Sequence, residues 1–209
     1  MKIKVIPSGP LSTNAYVVSA NTKEAIIIDP ALGSEPYISQ YLKEEGLKPT
    51  KILITHSHWD HIGDAAKVKE IYHIPIYVHP EDEPNLKEPG IDRLPLFTQI
   101  KPVNADEQLF EEEKIELGEL SFRVIHTPGH SPGGVCFYEE NENILFSGDT
   151  LFKGTMGSLA LPTSNPDKMK ESLKKLSLLP PTTRVYPGHG KSTTIGQEEW
   201  LSKEDIWEF

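Results

Sequence analysis

Apolar residues along this chain fall in short runs rather than at helical spacing. Runs at 2–6 (KIKVI), 15–18 (AYVV), 25–29 (AIIID), 51–55 (KILIT) and 74–78 (IPIYV) are rich in β-branched residues and flanked by turn formers, which predicts strands. A second set has the same character, at 120–127 (LSFRVIHT), 134–138 (GVCFY), 143–148 (NILFSG) and 183–188 (TRVYPG). Helical spacing intervenes at 34–46, where Ile38, Tyr41 and Leu42 share one face between a Ser34 cap and a Gly46 stop. Segments 63–73 and 165–179 predict two more helices, the last opening with Asn165 before Pro166. This order predicts two mixed sheets with helices packed on the outside.

The stretch 79–102 breaks the pattern. It is rich in proline and charge, and is expected to run over the surface beside the functional site. Neither a repeat nor a composition break divides the chain, so residues 1–209 are expected to form one domain. With 37% hydrophobic residues it can bury a full core. A formal charge of −10 argues against nucleic acid as a partner. The single cysteine, Cys136, lies in an apolar run and is expected to be core in a reducing compartment. The N-terminus lacks a signal-peptide pattern and the sequence lacks a long apolar span, so a cytoplasmic protein away from membranes is expected.

The chemistry concentrates at strand ends. In THSHWDHIG (55–63), His56, His58, Asp60 and His61 crowd into six positions after an apolar run. A buried core gains nothing from such a cluster, whereas a divalent ion is well served by neutral imidazole and carboxylate. Residues two apart on an extended segment point the same way, so His56 and His58 can share one ion. Asp60 and His61, past the strand end, can face a second, with Gly63 easing the turn into the next helix. His130 in TPGHSPGG, Asp149 in FSGDTLF and His189 in YPGHG also sit at predicted strand ends, each hemmed by Gly or Pro. Five of the eight histidines fall in these loops. Of the others, His73 ends a helix, while His79 and His126 stand at strand ends without a matching partner and are not expected to bind metal. Asp64 is expected to serve the N-terminus of the helix that follows it. Asp29 is expected to fix a strand-end turn or to orient a ligand from behind.

Taken together, THSHWDHIG, TPGHSPGG, FSGDTLF and YPGHG, with STNAYVV and AIIIDPA before them, resemble the metallo-β-lactamase superfamily and, within it, the glyoxalase II-like hydrolases. The resemblance implies an αββα sandwich with a metal site at one edge. It implies that His56, His58 and His130 bind one divalent ion, that Asp60, His61 and His189 bind another, and that Asp149 bridges them, with zinc, iron or manganese as the metal. It implies hydrolysis by a metal-bridging hydroxide that Asp60 orients, on a small thioester such as S-lactoylglutathione or a related ester. An aspartate at 149 is similar to the ester, thioester and phosphodiester hydrolases rather than to many lactamases, which carry Cys or Ser there. Two features depart from glyoxalase II. Only twenty residues follow His189, so its C-terminal helical domain is expected to be absent. Ser158 stands where relatives commonly carry a basic residue that meets substrate, leaving Lys153 as a candidate replacement. The competing expectations are a mononuclear iron persulfide dioxygenase using His56, His130 and Asp149, and a non-catalytic metal-binding module.

Overall fold

The most apolar runs form inner strands buried on both faces, which is why they lack a two-residue alternation. All seven residues of β2 (Thr13–Ser19) are buried, as are all five of β9 (Val135–Glu139) and of β10 (Ile144–Gly148). The computed structural model describes residues 1–202. Its first sheet has the order β1 (Lys2–Ser8), β2, β3 (Glu24–Ile28), β4 (Lys48–Leu53), β5 (Ile76–Val78), β6 (Glu107–Gln108). The first three strands are antiparallel neighbours and the rest run parallel to β3. Parallel neighbours need crossovers. These contain α1 (Glu35–Glu45), then α2 (Trp59–Ile62) with α3 (Ala65–Tyr72), then α4 (Glu83–Lys87). In the second sheet β7 (Lys114–Leu117), β8 (Leu120–His126), β9 and β10 are successive antiparallel neighbours. The helix α5 (Pro166–Ser177) then carries the chain to β11 (Arg184–Pro187), parallel to β10, and β12 (Thr193–Thr194) closes that edge.

Alternate residues of one strand feed different cores. Tyr16 and Val18 join Ile26, Ile28, Phe122, Phe137 and Phe146 between the sheets. Ala15 and Val17 join Ile27, Ile52 and the α1 residues Ile38 and Leu42 on the outer side. Across the second sheet, Cys136, Tyr138, Leu145 and Val185 meet Met169, Leu173 and Leu176 of α5. The layers are therefore αββα. Cys136 is core, and burial pushes its thiol up to about 11.

Several local expectations change. α1 stops at Gly46, left-handed at φ 62° and donating to the Leu42 and Lys43 carbonyls. Its start differs, because Ser34 makes no side-chain cap. The Glu35 N–H instead donates to Asp64 Oδ2 at 2.8 Å, so Asp64 caps α1 from across the fold and not its own helix. The helix expected from Gly63 begins earlier, as the single turn α2 directly after His58. Three strands escape the sequence pattern. β6 and β12 have two residues each, and β7 alternates exposed Lys114 and Glu116 with buried Ile115 and Leu117 inside a charged stretch. Nor is 79–102 wholly superficial, since Asp82, Asn85, Leu86, Asp92 and Ile100 are buried.

Gly63 serves closeness rather than conformation. Its φ of −54° is ordinary helix, but a Cβ there would lie 2.5 Å from Leu32 Cα. Helix propensity alone would make Gly63→Ala stabilising by about 1 kcal/mol. Overpacking against backbone costs roughly 1–3 kcal/mol and should win, lowering the urea midpoint. A raised midpoint would mean that the Leu32 segment yields freely.

Candidate metal centre

The site lies where the two sheets present the carboxyl ends of their parallel strands, the usual place for ligands in open α/β architectures. Asp29 follows β3, residues 55–61 follow β4, Asp149 follows β10 and His189 follows β11, while His130 lies in the β8–β9 loop. Backbone hydrogen bonds join these ends across the interface: Val135 N–H to Thr55 O at 2.8 Å and Asn14 N–H to Gly188 O at 2.7 Å. In α2, Trp59 and Ile62 share the helical face that enters the outer core, which leaves Asp60 and His61 directed to the site.

Among the described residues four groups of possible metal donors form, and two of them flank Asp149. His56, His58 and His130 each offer a ring nitrogen, all within 4.8 Å of one another, and Asp60, His61 and His189 do the same with one carboxylate oxygen and two nitrogens. In the second group His61 Nε2 and His189 Nε2 are 3.3 Å apart, and Asp60 Oδ2 lies 3.5 and 3.4 Å from them. Asp149 stands between the groups. Its Oδ2 is 3.4 Å from His130 Nε2 and 3.5 Å from His189 Nε2, and its Oδ1 is 3.4 Å from His61 Nε2. These separations are long for hydrogen bonds. They match the edge of a coordination polyhedron, since donors about 2.0–2.1 Å from a zinc-like ion in a tetrahedral array stand about 3.4 Å apart. Buried His56 Nε2, His58 Nε2, His130 Nε2 and Asp149 Oδ1 have no hydrogen-bond partner among the described residues, a cost that a cation removes. The residues therefore fit divalent ions.

In four of the five rings the other nitrogen has a partner. His61 Nδ1 donates to Asp29 Oδ2 at 3.0 Å, His130 Nδ1 to Ser158 O at 2.9 Å and His189 Nδ1 to Leu11 O at 3.1 Å. Each bond fixes the ring and leaves Nε2 as the ligating atom. His56 Nδ1 lies 3.2 Å from Thr55 Oγ1, which itself donates to Asp29 Oδ2 at 2.5 Å. The two groups differ electrostatically. Burial, with neighbouring imidazoles, holds His56 well below the usual histidine range and His58 down to about 3, so both are neutral and ready to ligate. Burial opposes charge on His61 and His189 too. The Asp60 and Asp149 carboxylates outweigh it, raising His61 well above its usual value and His189 to about 9. Against burial, the same imidazoles hold Asp60 and Asp149 below the ordinary carboxylate range.

Residues 8–189 match the family model described as the metallo-beta-lactamase superfamily. The chain belongs to that superfamily. Among solved structures, it superposes on the BLEG-1 B3 metallo-beta-lactamase with TM-score 0.87 at 42% identity, covering 94% of this chain and 96% of that one. A di-iron-bound form of TTHA1623 gives TM-score 0.77 at 38% identity, with coverage of 94% and 96%. The hydroxyacylglutathione hydrolase GloC of Haemophilus influenzae is 31% identical over 208 residues, 95% of each chain. The metallo-beta-lactamase fold binds divalent metals, and this chain carries His and Asp clusters that could hold them.

The two expected substrate contacts, Ser158 and Lys153, differ in how they relate to the centre. Ser158 contributes its backbone carbonyl, which any residue could supply, and its side chain is exposed. Lys153 is exposed at the Phe152–Thr155 turn, next to Phe152, whose ring meets His189 edge-on at 5.9 Å. His79 and His126 do have partners, contrary to expectation. Their rings stack at 4.0 Å and 14°, with Glu81 Oε2 at 4.0 and 3.8 Å. Near-parallel rings direct their lone pairs in separate planes, so one ion cannot serve both unless a ring turns. Two further residues were not singled out in the sequence. Thr13 Oγ1 donates to Asp60 Oδ2 at 2.6 Å, and Asp82 accepts from the loops of His58 and His130. Asp82 lies in HPEDEP, whose composition reads as solvated surface.

No candidate ligand can move far, because glycine lets backbone approach closely. A Cβ on Gly188 would stand 2.1 Å from Asp149 Oδ1 and 2.7 Å from His61 Cε1. Gly188→Ala should therefore displace Asp149 and lower bound metal by roughly 10-fold or more, the scale seen when ligand-orienting contacts are lost. Elemental analysis after dialysis measures this; full metal content would mean that the strand end shifts without disturbing the carboxylate.

Proposed function

We propose that this chain is a dinuclear metal hydrolase acting on a small thioester or ester. One observation carries the reading: Asp149 lies within 3.5 Å of ring nitrogens from both donor groups, the position of a bridging carboxylate. The di-iron-bound form of TTHA1623 and the likeness to the hydrolase GloC support it at the level of relatives. Bound divalent ions would supply a water acidified to about pKa 7 and Lewis-acid stabilisation of the developing oxyanion. The remaining roles fall to the chain. Asp60, ionised and anchored by the Thr13 hydroxyl, is oriented to accept the hydrogen bond of the attacking water. Asp149 and the histidines would hold the ions, the Asp149 carboxylate offsetting part of their mutual repulsion. Among the other nucleophiles, the Cys136 thiol is buried in the core with a raised pKa, and Ser131 Oγ donates to Asp82, so neither offers covalent catalysis.

Zinc, iron and manganese all suit this nitrogen and oxygen set. Convergence of Asp60, His61 and His189 at 3.3–3.5 Å favours this reading over the mononuclear persulfide dioxygenase, which needs none of the three. The likeness to BLEG-1 motivates one second reading, β-lactam hydrolysis. Protein loaded in turn with zinc, iron and manganese, and offered S-lactoylglutathione, a simple acyl thioester, an aryl ester, a phosphodiester and a β-lactam, distinguishes these. We expect thioester turnover that does not depend strongly on the glutathione part. Asp149→Ala should lose both ions and at least about 100-fold in rate, on the scale of removing a major electrostatic element. Oxygen consumption with glutathione persulfide, and no hydrolysis of any panel member, would reject the proposal.

Proton release offers a second test. His61 and His189 have raised values in the metal-free protein, so they retain protons at pH 7 that an ion must displace. Two imidazolium rings with nitrogens 3.3 Å apart oppose each other, so between one and two protons are held. His56 and His58 have lowered values and hold none. Affinity for an ion in the Asp60–His61–His189 group should thus climb about 10-fold per pH unit for each proton displaced, with the His189 contribution levelling off above about pH 9. Calorimetric titration in buffers of different ionisation enthalpy counts those protons; loading of that group without proton release would contradict the assignment.

A further inference from the structure

Asp82 is 3% exposed and belongs to neither donor group. It comes from the segment before α4, and its two oxygens take three donors. Oδ2 accepts from Ser57 N–H at 2.8 Å and from Ser131 Oγ at 3.0 Å, and Oδ1 accepts from Gly133 N–H at 2.7 Å. Ser57 precedes His58 and Ser131 follows His130. One carboxylate thus ties together two loops from different sheets, each one residue from a candidate ligand. The neighbourhood is built for this contact. Asn85 Nδ2 donates to Ser57 O at 2.5 Å, fixing the next peptide, between Ser57 and His58, as well. Gly133 has no side chain where a Cβ would come within 2.7 Å of Asp82 N and 2.8 Å of its Oδ1.

The second donor group is held by other contacts. Asp29 orients His61, the Leu11 carbonyl orients His189 and Thr13 anchors Asp60. Asp82 bonds to none of these. All three of its own partners are neutral, so its charge is spread over hydrogen bonds beside a group made of three imidazoles. A dication held by neutral ligands gains from a fixed carboxylate near by.

We propose that Asp82 is a positioning residue for the His56–His58–His130 group alone, setting the affinity of that ion separately from the ion of Asp60, His61 and His189. The proposal rests on the dinuclear reading above, and it makes the two ions separable by a residue that touches neither.

The test uses two parents, His189→Ala to disable the second group and His130→Ala to disable the first. Each is combined with Asp82→Asn and Asp82→Ala, stripped by chelation and titrated with cobalt(II) against a competing chelator. In the His189→Ala parent, Asp82→Ala should weaken binding by about 10- to 100-fold and alter the cobalt visible spectrum, as loss of a ligand-orienting partner does. Asp82→Asn keeps one acceptor oxygen and should fall between. In the His130→Ala parent both changes should leave affinity within about threefold, well below that effect. Leu42→Ala, on the buried face of α1, controls for destabilisation: it should lower Tm without changing either affinity. If Asp82→Ala fails to fold, the asparagine variant carries the comparison alone. Equal weakening in both parents, or none in the first, overturns the proposal. Metal stoichiometry of the unsubstituted protein tests the dinuclear reading separately.

Discussion

Imidazole nitrogens and carboxylate oxygens that share one buried space repel through their lone pairs, and the architecture has to withstand that repulsion before any ion arrives. The cost is visible in the unpartnered nitrogens of His56, His58 and His130. It is visible too in His58, which burial and neighbouring imidazoles drive to about 3, whereas His189 relieves it by holding a proton against Asp149 and Asp60, which raise it to about 9. Flexible side chains would relax such a cluster by turning outward. Here most rings cannot turn, because the nitrogen facing away from the site is tied to Asp29, Ser158 O or Leu11 O. Strain of this kind belongs at functional sites, where the surrounding fold over-determines it.

The sandwich supplies that over-determination. Strands buried on both faces cannot slide without exchanging one core for another, since a shift of one residue would reverse Tyr16 and Val17. Their ends are therefore fixed points, and the loops that leave them are short. Bonds such as Val135 N–H to Thr55 O cross between the sheets at the level of the site. Closeness is then secured by glycines that have no room for a Cβ, as at Gly188 against Asp149. The acidic character of the chain is compatible with this centre, because a dication sets the local field whatever the net charge.

Much of this was legible in the sequence, and the omissions have a common physical cause. Long apolar runs announced the inner strands, and turn-bounded His and Asp announced the seven candidate ligands, because both signals are local. Asp82 and Thr13 were not legible, since their meaning lies in partners 25 or more residues away. A carboxylate among prolines reads as solvated until a fold closes over it. Asp64 shows the same limit, as its nearest helix in sequence is not the one it caps. Gly63 was noticed for the wrong property, conformation rather than contact. Local pattern identifies what a residue could do; only packing decides for which neighbour it does it.

That division also bears on how specificity can change while a centre of this kind is retained. His130 and His189 are oriented by backbone carbonyls of Ser158 and Leu11, not by their side chains. Both side chains are exposed, Leu11 at 51%. A carbonyl is present whatever the residue, so these positions can exchange a basic group for serine without altering the ring they hold. Asp29 and Asp82 lack that freedom, because each uses its carboxylate to fix backbone and ligand loops at once. Orientation of the His130 and His189 rings thus falls to backbone that any residue supplies, whereas orientation of His61 and of the His58 and His130 loops falls to two specific carboxylates. A substitution at Ser158 should therefore leave His130 oriented and the donor set in place, while a substitution at Asp29 or Asp82 should not, because there the side chain itself makes the contact.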